Sequence, residues 1–201
     1  MEVMKGYWWL WPLVFGLGVI ILILLPKRLT AKQVATIGIL MALSTVLTFF
    51  TRVPLPIWGE RVWISIGATL PIFIIALRYG FSIGLLGGIA FSLIEFLREP
   101  YFYHPFQFLL DFILADASIA LAGFFKKNPA YGFALGWFFK LLFHTISGII
   151  FFAQYAPKGW NPYIYSIAYN LSWGIPDIFF VVLIFYTTRK RMESLFLFVE
   201  R

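Results

Sequence analysis

Apolar residues run through this chain in seven long blocks, at about 8–25, 34–50, 62–77, 81–97, 105–125, 132–153 and 163–187, separated by short polar turns. Blocks without strict alternation predict helices with apolar surroundings on most sides, and about 20 residues are needed to cross a bilayer. The third block, at about 16 residues, is short by that rule and must borrow flanking residues or run into the turn. Pro71 inside it predicts a kink, the freed carbonyl being satisfied by neighbouring helices. The first block is longer than the apolar core of a signal peptide. Pro26, Lys27 and Arg28 follow where a small-residue cleavage site would stand, so a retained helix is expected. The pattern predicts an all-α integral membrane bundle with no soluble domain left over.

Composition agrees with the pattern. Of 201 residues, 61% are apolar and 12% charged, with a mean hydropathy of +0.87. A soluble domain carries roughly 25% charged residues. The net charge of +7 would suggest nucleic acid in a soluble protein, but here the basic residues sit at the ends of apolar blocks. Membrane orientation explains them more simply, and no nucleic-acid partner is expected. Placing the 26–33 connection inside puts Lys27, Arg28, Lys32, Arg78, Lys126, Lys127, Arg189, Lys190, Arg191 and Arg201 on the cytoplasmic side. Only Lys5, Arg52, Arg61, Arg98 and Lys158 remain outside. The bias predicts a multi-pass protein of the plasma membrane, with its N-terminus outside and its C-terminus in the cytoplasm.

Several chemistries are missing. There is no cysteine, which excludes disulfides, thiolate metal sites and cysteine nucleophiles. No phosphate-cradling glycine loop followed by Lys-Ser/Thr, no HExxH and no GxSxG occurs, and two histidines argue against a metal site. Asp111 and His144 alone make a weak enzyme motif, so no enzyme is expected.

Polar side chains inside membrane-grade helices are costly and mark a pathway, a ligand or a pairing by default. Counted inward from the cytoplasmic ends of the last three blocks, Asp116, Lys140 and Asp177 lie at roughly 12–15 Å depth. One cation and two anions in one layer predict a buried ion-pair cluster, with a proton relay as the alternative. His144, Asp111 and Asn170 lie further out, at roughly 18–25 Å, with Phe152 and Tyr165 near the outer surface. A carboxylate, an imidazole, a carboxamide and aromatic faces suit a flat, nitrogen-rich cation. The alternative for each polar group is an interhelical hydrogen bond. Gly38 and Ala42 form a small-xxx-small pair, and Gly84, Gly87 and Gly88 share a face; both permit close helix approach. The outer connections are aromatic-rich, and the first, TRVPLPIWGERVW, is long enough to fold over an outward-facing pocket as a lid.

The stretch FHTISGIIFFAQYAPKGWNPYIYSIAYN resembles the thiamine-binding substrate subunits (S-components) of energy-coupling-factor transporters. The likeness rests on the spacing of His144, Gly148 to Phe151, Gln154 to Ala156, Lys158 to Trp160, Tyr165-Ser166 and Asn170. It extends more weakly over about 34–190, through Leu77-Arg78, Gly87-Gly88 and Ala122-Gly123. The resemblance implies a six-helix bundle that captures thiamine outside the cell. It then docks on a shared membrane subunit and two cytoplasmic ATPases, so ATP is bound by the partners and this chain needs no cofactor. Family binding positions fall on His144, Tyr165 and Asn170 with identical residue types. The family's glutamate falls on Asp111 and its aromatic neighbour on Phe112. Two pocket tryptophans fall on Phe91 and Phe152, and a third falls near Arg61, flanked by Trp58 and Trp63. Phenylalanine is a poorer cation–π face than tryptophan, which leaves open a pyrimidine precursor of thiamine or another vitamin as the ligand. With no nucleotide motif in the chain, energy comes from partner ATPases or from an ion gradient, the latter in a solitary ion-coupled carrier. Gly38 and Ala42 match the motif that contacts the membrane subunit. Asp116 and Asp177 fall outside the family pattern. The first block has no counterpart either, giving an expected organisation of an extra helix and linker over 1–33, the substrate-binding bundle over 34–190 and a short cytoplasmic tail over 191–201.

Overall fold

The computed structural model describes residues 7–57 and 60–192. The seven apolar blocks become seven helices: α1 (Trp11–Leu24), α2 (Ala31–Phe50), α3 (Leu70–Tyr79), α4 (Phe81–Arg98), α5 (Pro105–Phe124), α6 (Pro129–Phe151) and α7 (Pro162–Met192). A two-stranded antiparallel ribbon, β1 (Arg52–Ile57) and β2 (Glu60–Ser65), joins α2 to α3, with Val53 opposite Ile64 and Arg52 opposite Ser65. Among the described residues, five helices are long and apolar enough to cross a membrane, while α1 and α3 are shorter.

Local chemistry sets the boundaries. Thr30 and Gln33 form a reciprocal capping box at the start of α2: the Gln33 N–H donates to Thr30 Oγ1 at 3.2 Å, and the Thr30 N–H donates to Gln33 Oε1 at 2.8 Å. Gly80, at φ +90°, supplies the backbone turn that separates α3 from α4 inside an otherwise continuous apolar run. His104 opens α5 by accepting the Phe106 N–H at 3.1 Å on Nδ1.

The third block departs from expectation. Its first residues, 62–65, belong to β2, and only Leu70–Tyr79 is helical. Pro71 stands in the first turn of α3, where its missing N–H has no partner to lose, so it starts the helix and does not kink it. Ten residues reach about 15 Å, half of a bilayer core. The short helix is tolerated because it is wrapped in protein: Ile72, Ile75 and Ala76 have no exposed surface. At the other extreme, α7 runs for 31 residues, about 46 Å, and carries Arg189, Lys190 and Arg191 in its last turn. The expected tail therefore begins as helix; residues 193–201 lie outside the described residues.

α5 is the central helix, with 78% of its span buried. α4 closes on it through small residues. A Cβ added at Gly88 would stand 2.7 Å from the Ala117 Cα and 2.8 Å from the Asp116 carbonyl oxygen; one at Gly84 would meet Ala76 and Ala120. α6 reaches α5 the same way at Gly132 and Gly136. Gly38, by contrast, would meet nothing within 4 Å, and it faces outward with Ala42. α1 lies against α5 and the end of α6. Its Val14, Leu17 and Ile21, with Leu10 just before it, form a stripe at helical spacing against Phe106, Leu109, Leu110 and Phe151.

Gly88→Leu should prevent α4 from seating on α5 and yield aggregated or unfolded protein, whereas Gly38→Leu should leave the melting temperature in detergent nearly unchanged. Thermal unfolding followed by size-exclusion chromatography checks both.

Candidate functional site

A cavity of about 620 Å³ opens between α4, α5, α6, α7 and the ribbon. That volume lies within the usual range for small-molecule sites, roughly 300–1,000 Å³. Asp111, Phe112, His144, Phe152, Tyr165, Asn170 and Phe91, singled out in the sequence, all line it. Of the expected lid residues, Trp58 lies outside the described residues. Arg61 and Trp63 lie on β2, where their side chains are not described.

Asp111 is the best-held group. It sits in a π-helical stretch of α5, Leu109–Leu114, an irregularity common at functional sites. Gln107 Nε2 donates to Asp111 Oδ2 at 2.9 Å, and Ser147 Oγ donates to the same oxygen at 2.7 Å. Oδ1 lies 3.2 Å from His144 Nδ1. One carboxylate oxygen is thus saturated, and the other is shared with an imidazole at the cavity wall. Asn170 Nδ2 donates to the Ser166 carbonyl at 2.8 Å, and its Oδ1 accepts from Trp173 Nε1 at 3.3 Å. One N–H and one lone pair of that amide remain for a ligand. α6 and α7 come together where Gly148 faces Ser166, with no room for a Cβ. Aromatic rings complete the wall: Tyr101 packs on Phe112 at 4.7 Å between centroids and Tyr103 on Phe152 at 5.1 Å, while Tyr165 meets Tyr169 at 5.9 Å.

The deeper charged layer belongs to the same cavity. Lys140 pairs with Asp116, which also accepts from Ser92 Oγ at 3.1 Å. Asp177 accepts the Gly67 N–H at 3.3 Å. All three line the cavity, so the two layers that appear separate along the helices share one space. Trp173 stands between them, edge-to-face with His144 at 5.2 Å and with Lys140 Nζ 5.9 Å from its ring centre.

Other lining residues were not legible as site residues. Arg52, Arg98, Glu95 and Glu99 form a charged group at the cavity: Arg52 grips both oxygens of Glu99, and Arg98 bonds Glu95 and Glu99. In sequence they read as interface charges. The Arg52 guanidinium holds the Glu99 carboxyl below its usual pKa, and this pair ties β1 to the end of α4. Trp173 had a signal, one turn beyond Asn170. Gln107 and Ser147 had none, because each matters only through Asp111. Counted as ionised, carboxylates outnumber Lys and Arg five to three around the cavity, an environment that favours a cation. Among the described residues no group of three or more His, Cys, Asp or Glu could hold a metal ion.

A family model described as thiamine transporter protein matches residues 34–197. The chain is 30% identical over 146 residues to the thiamine transporter ThiT of Bacillus subtilis, covering 62% of this chain and 76% of that one. With ThiT of Lacticaseibacillus paracasei it shares 28% identity over 121 residues, covering 50% and 60% respectively. The solved structure of ThiT from Listeria monocytogenes matches with a TM-score of 0.69 at 26% identity, covering 82% of this chain and 97% of that one.

Removing one member of a buried ion pair strands the other, a loss of about 3 kcal/mol or more. Lys140→Met should therefore lower the melting temperature markedly, and Lys140→Met with Asp116→Asn should recover part of it; differential scanning fluorimetry in detergent reads both.

Proposed function

Since the chain belongs to the thiamine transporter protein family, we propose that its cavity captures thiamine on the outer side of the membrane for uptake powered by partner subunits. It is a multi-pass membrane protein and a transporter subunit of the S-component type, not an enzyme. The observation that carries the ligand assignment is the convergence of Asp111, His144 and Asn170, from three helices, on one carboxylate-rich, aromatic-walled cavity. Thiamine is a flat, nitrogen-rich cation. Asp111 supplies the counter-charge, Asn170 the free amide N–H and lone pair, and Phe152, Phe112 and the tyrosines the apolar faces. The family match favours thiamine over its pyrimidine precursor and over a solitary ion-coupled carrier.

The energy comes from partners in this reading. The sequence has no nucleotide-cradling loop, which supports two ATPases acting through a shared membrane subunit. α2 offers that subunit the outward face bearing Gly38 and Ala42. Gly38 and Ala42 are exposed and a Cβ at Gly38 would meet nothing within 4 Å, while α1 packs on α5 and α6. The basic residues between α1 and α2 and at the end of α7 support a cytoplasmic C-terminus, with the cavity mouth at the outer side. Arg52 and Glu99 supply the tie that would hold the ribbon over that mouth as a lid.

Asp111→Asn should raise the dissociation constant for thiamine by about tenfold or more, since hydrogen bonds to charged groups contribute about 1.5–3 kcal/mol. Isothermal titration of the purified chain checks this, and unchanged affinity would remove Asp111 from the site. Gly38→Trp should leave thiamine binding intact and abolish uptake in vesicles containing the partner subunits; retained uptake would mean that another surface makes the contact.

A further inference from the structure

The N-terminal helix lies outside the region matched by the family, which begins at residue 34. Its outer end nevertheless touches the elements that build the site. Tyr7 donates from its hydroxyl to the Ile150 carbonyl at 3.2 Å and packs on Phe151 at 5.2 Å, next to the cavity residue Phe152. Tyr7 and Trp11 also enclose His104, at ring distances of 5.9 and 6.0 Å, while Phe151 stacks on it at 5.7 Å with its plane 19° away. Leu10 between them is 1% exposed and His104 is fully buried.

The state of His104 follows from its partners. Nδ1 accepts the Phe106 N–H, so the neutral ring carries its proton on Nε2. Nε2 makes no hydrogen bond and is buried, leaving aromatic rings as its surroundings. Desolvation keeps the imidazole below its ordinary pKa, in line with that neutral form. A buried imidazole with one nitrogen unpartnered is held in place by the rings packed around it.

From His104 a short relay leads to the site. His104 caps the first turn of α5. Tyr103, the residue before it, donates its N–H to Gln107 Oε1 at 3.2 Å. With that oxygen engaged, the Gln107 amide nitrogen points at Asp111 Oδ2, 2.9 Å away. Gln107 is fully buried and has no other described bond.

We propose that α1 is an intramolecular brace for the ligand site, holding the His104 cap so that Gln107 positions Asp111. Gln107 is a positioning residue, acting through the carboxylate. The proposal rests on the reading of Asp111 as the ligand's counter-charge. It assigns the added helix a role in affinity, where the plain alternative is a membrane anchor that leaves the site alone.

The test is a double-mutant cycle in the full chain, with Trp11→Ala and Gln107→Leu, read by isothermal titration with thiamine and by amide hydrogen exchange over residues 103–108. Each single variant should weaken binding by about three- to tenfold, and the double variant should be no weaker than Gln107→Leu alone, as expected for residues acting in series. Exchange of the Phe106 and Phe108 amides should speed up in Trp11→Ala. An unchanged dissociation constant in Trp11→Ala, or effects that multiply independently in the double variant, would overturn the brace. Should Gln107→Leu fail to fold, Tyr7→Phe replaces it: loss of the bond to Ile150 should raise both the dissociation constant and the exchange rate, and normal values of both would overturn the proposal. A parent chain that does not bind thiamine, with exchange still accelerated in Trp11→Ala, would leave the helix-to-cap coupling standing and bring down the ligand assignment instead.

Discussion

A carboxylate in the middle of a lipid-embedded bundle needs donors on every side that does not face the cavity, because the bilayer supplies no water there. Asp111 meets that demand with Gln107, Ser147 and His144, drawn from α5 and α6. The arrangement saturates one oxygen and leaves the other at the cavity wall. Much of the surrounding architecture serves it: the π-helical stretch that turns Asp111 inward, the capped start of α5 that places Gln107, and the glycine contact that brings α7 against α6. On the proposed reading, the donors around Asp111 are what lets a counter-charge for a cation be held inside the bundle.

Close packing is the second requirement. α5 carries both Asp111 and Asp116 and is buried along most of its length, so its neighbours must approach within the radius of a methyl group. Gly84 and Gly88 on α4, and Gly132 and Gly136 on α6, permit this. The Lys140–Asp116 pair forms at this seam and extends the polar lining of the cavity toward its floor. Trp173 divides that lining into a part around His144 and Asn170 and a part around Lys140. The start of α5 and the end of α6 are also where the added helix rests, which puts an element outside the family-matched region next to residues of the site.

The site was legible to the extent that its residues were anomalous. Asp111, His144, Asn170, Lys140, Asp116 and Asp177 stand out because ionisable and amide groups are expensive within apolar blocks, and depth along a helix groups them without coordinates. Phe91 and Phe112 were reachable only by resemblance, since phenylalanine in a membrane helix carries no signal of its own. Gln107, Ser147 and the Arg52–Glu99 tie were not reachable at all. Their importance lies in a partner 4 to 47 residues away, and a side chain's partner is a property of the packed bundle.

The order and type of the seven helices, their membrane setting and the list of costly polar groups follow from the chain alone, because apolar block length and the penalty for buried charge act locally along the sequence. Tertiary structure decided that the third block would split into a strand and a ten-residue helix, since only enclosure by neighbours makes so short a helix acceptable. It also decided that two layers of polar residues would share one cavity and that a helix outside the family pattern would press on the cap of α5. Those outcomes depend on which faces meet and how closely, and distances between helices are set by the shapes of side chains far apart in sequence.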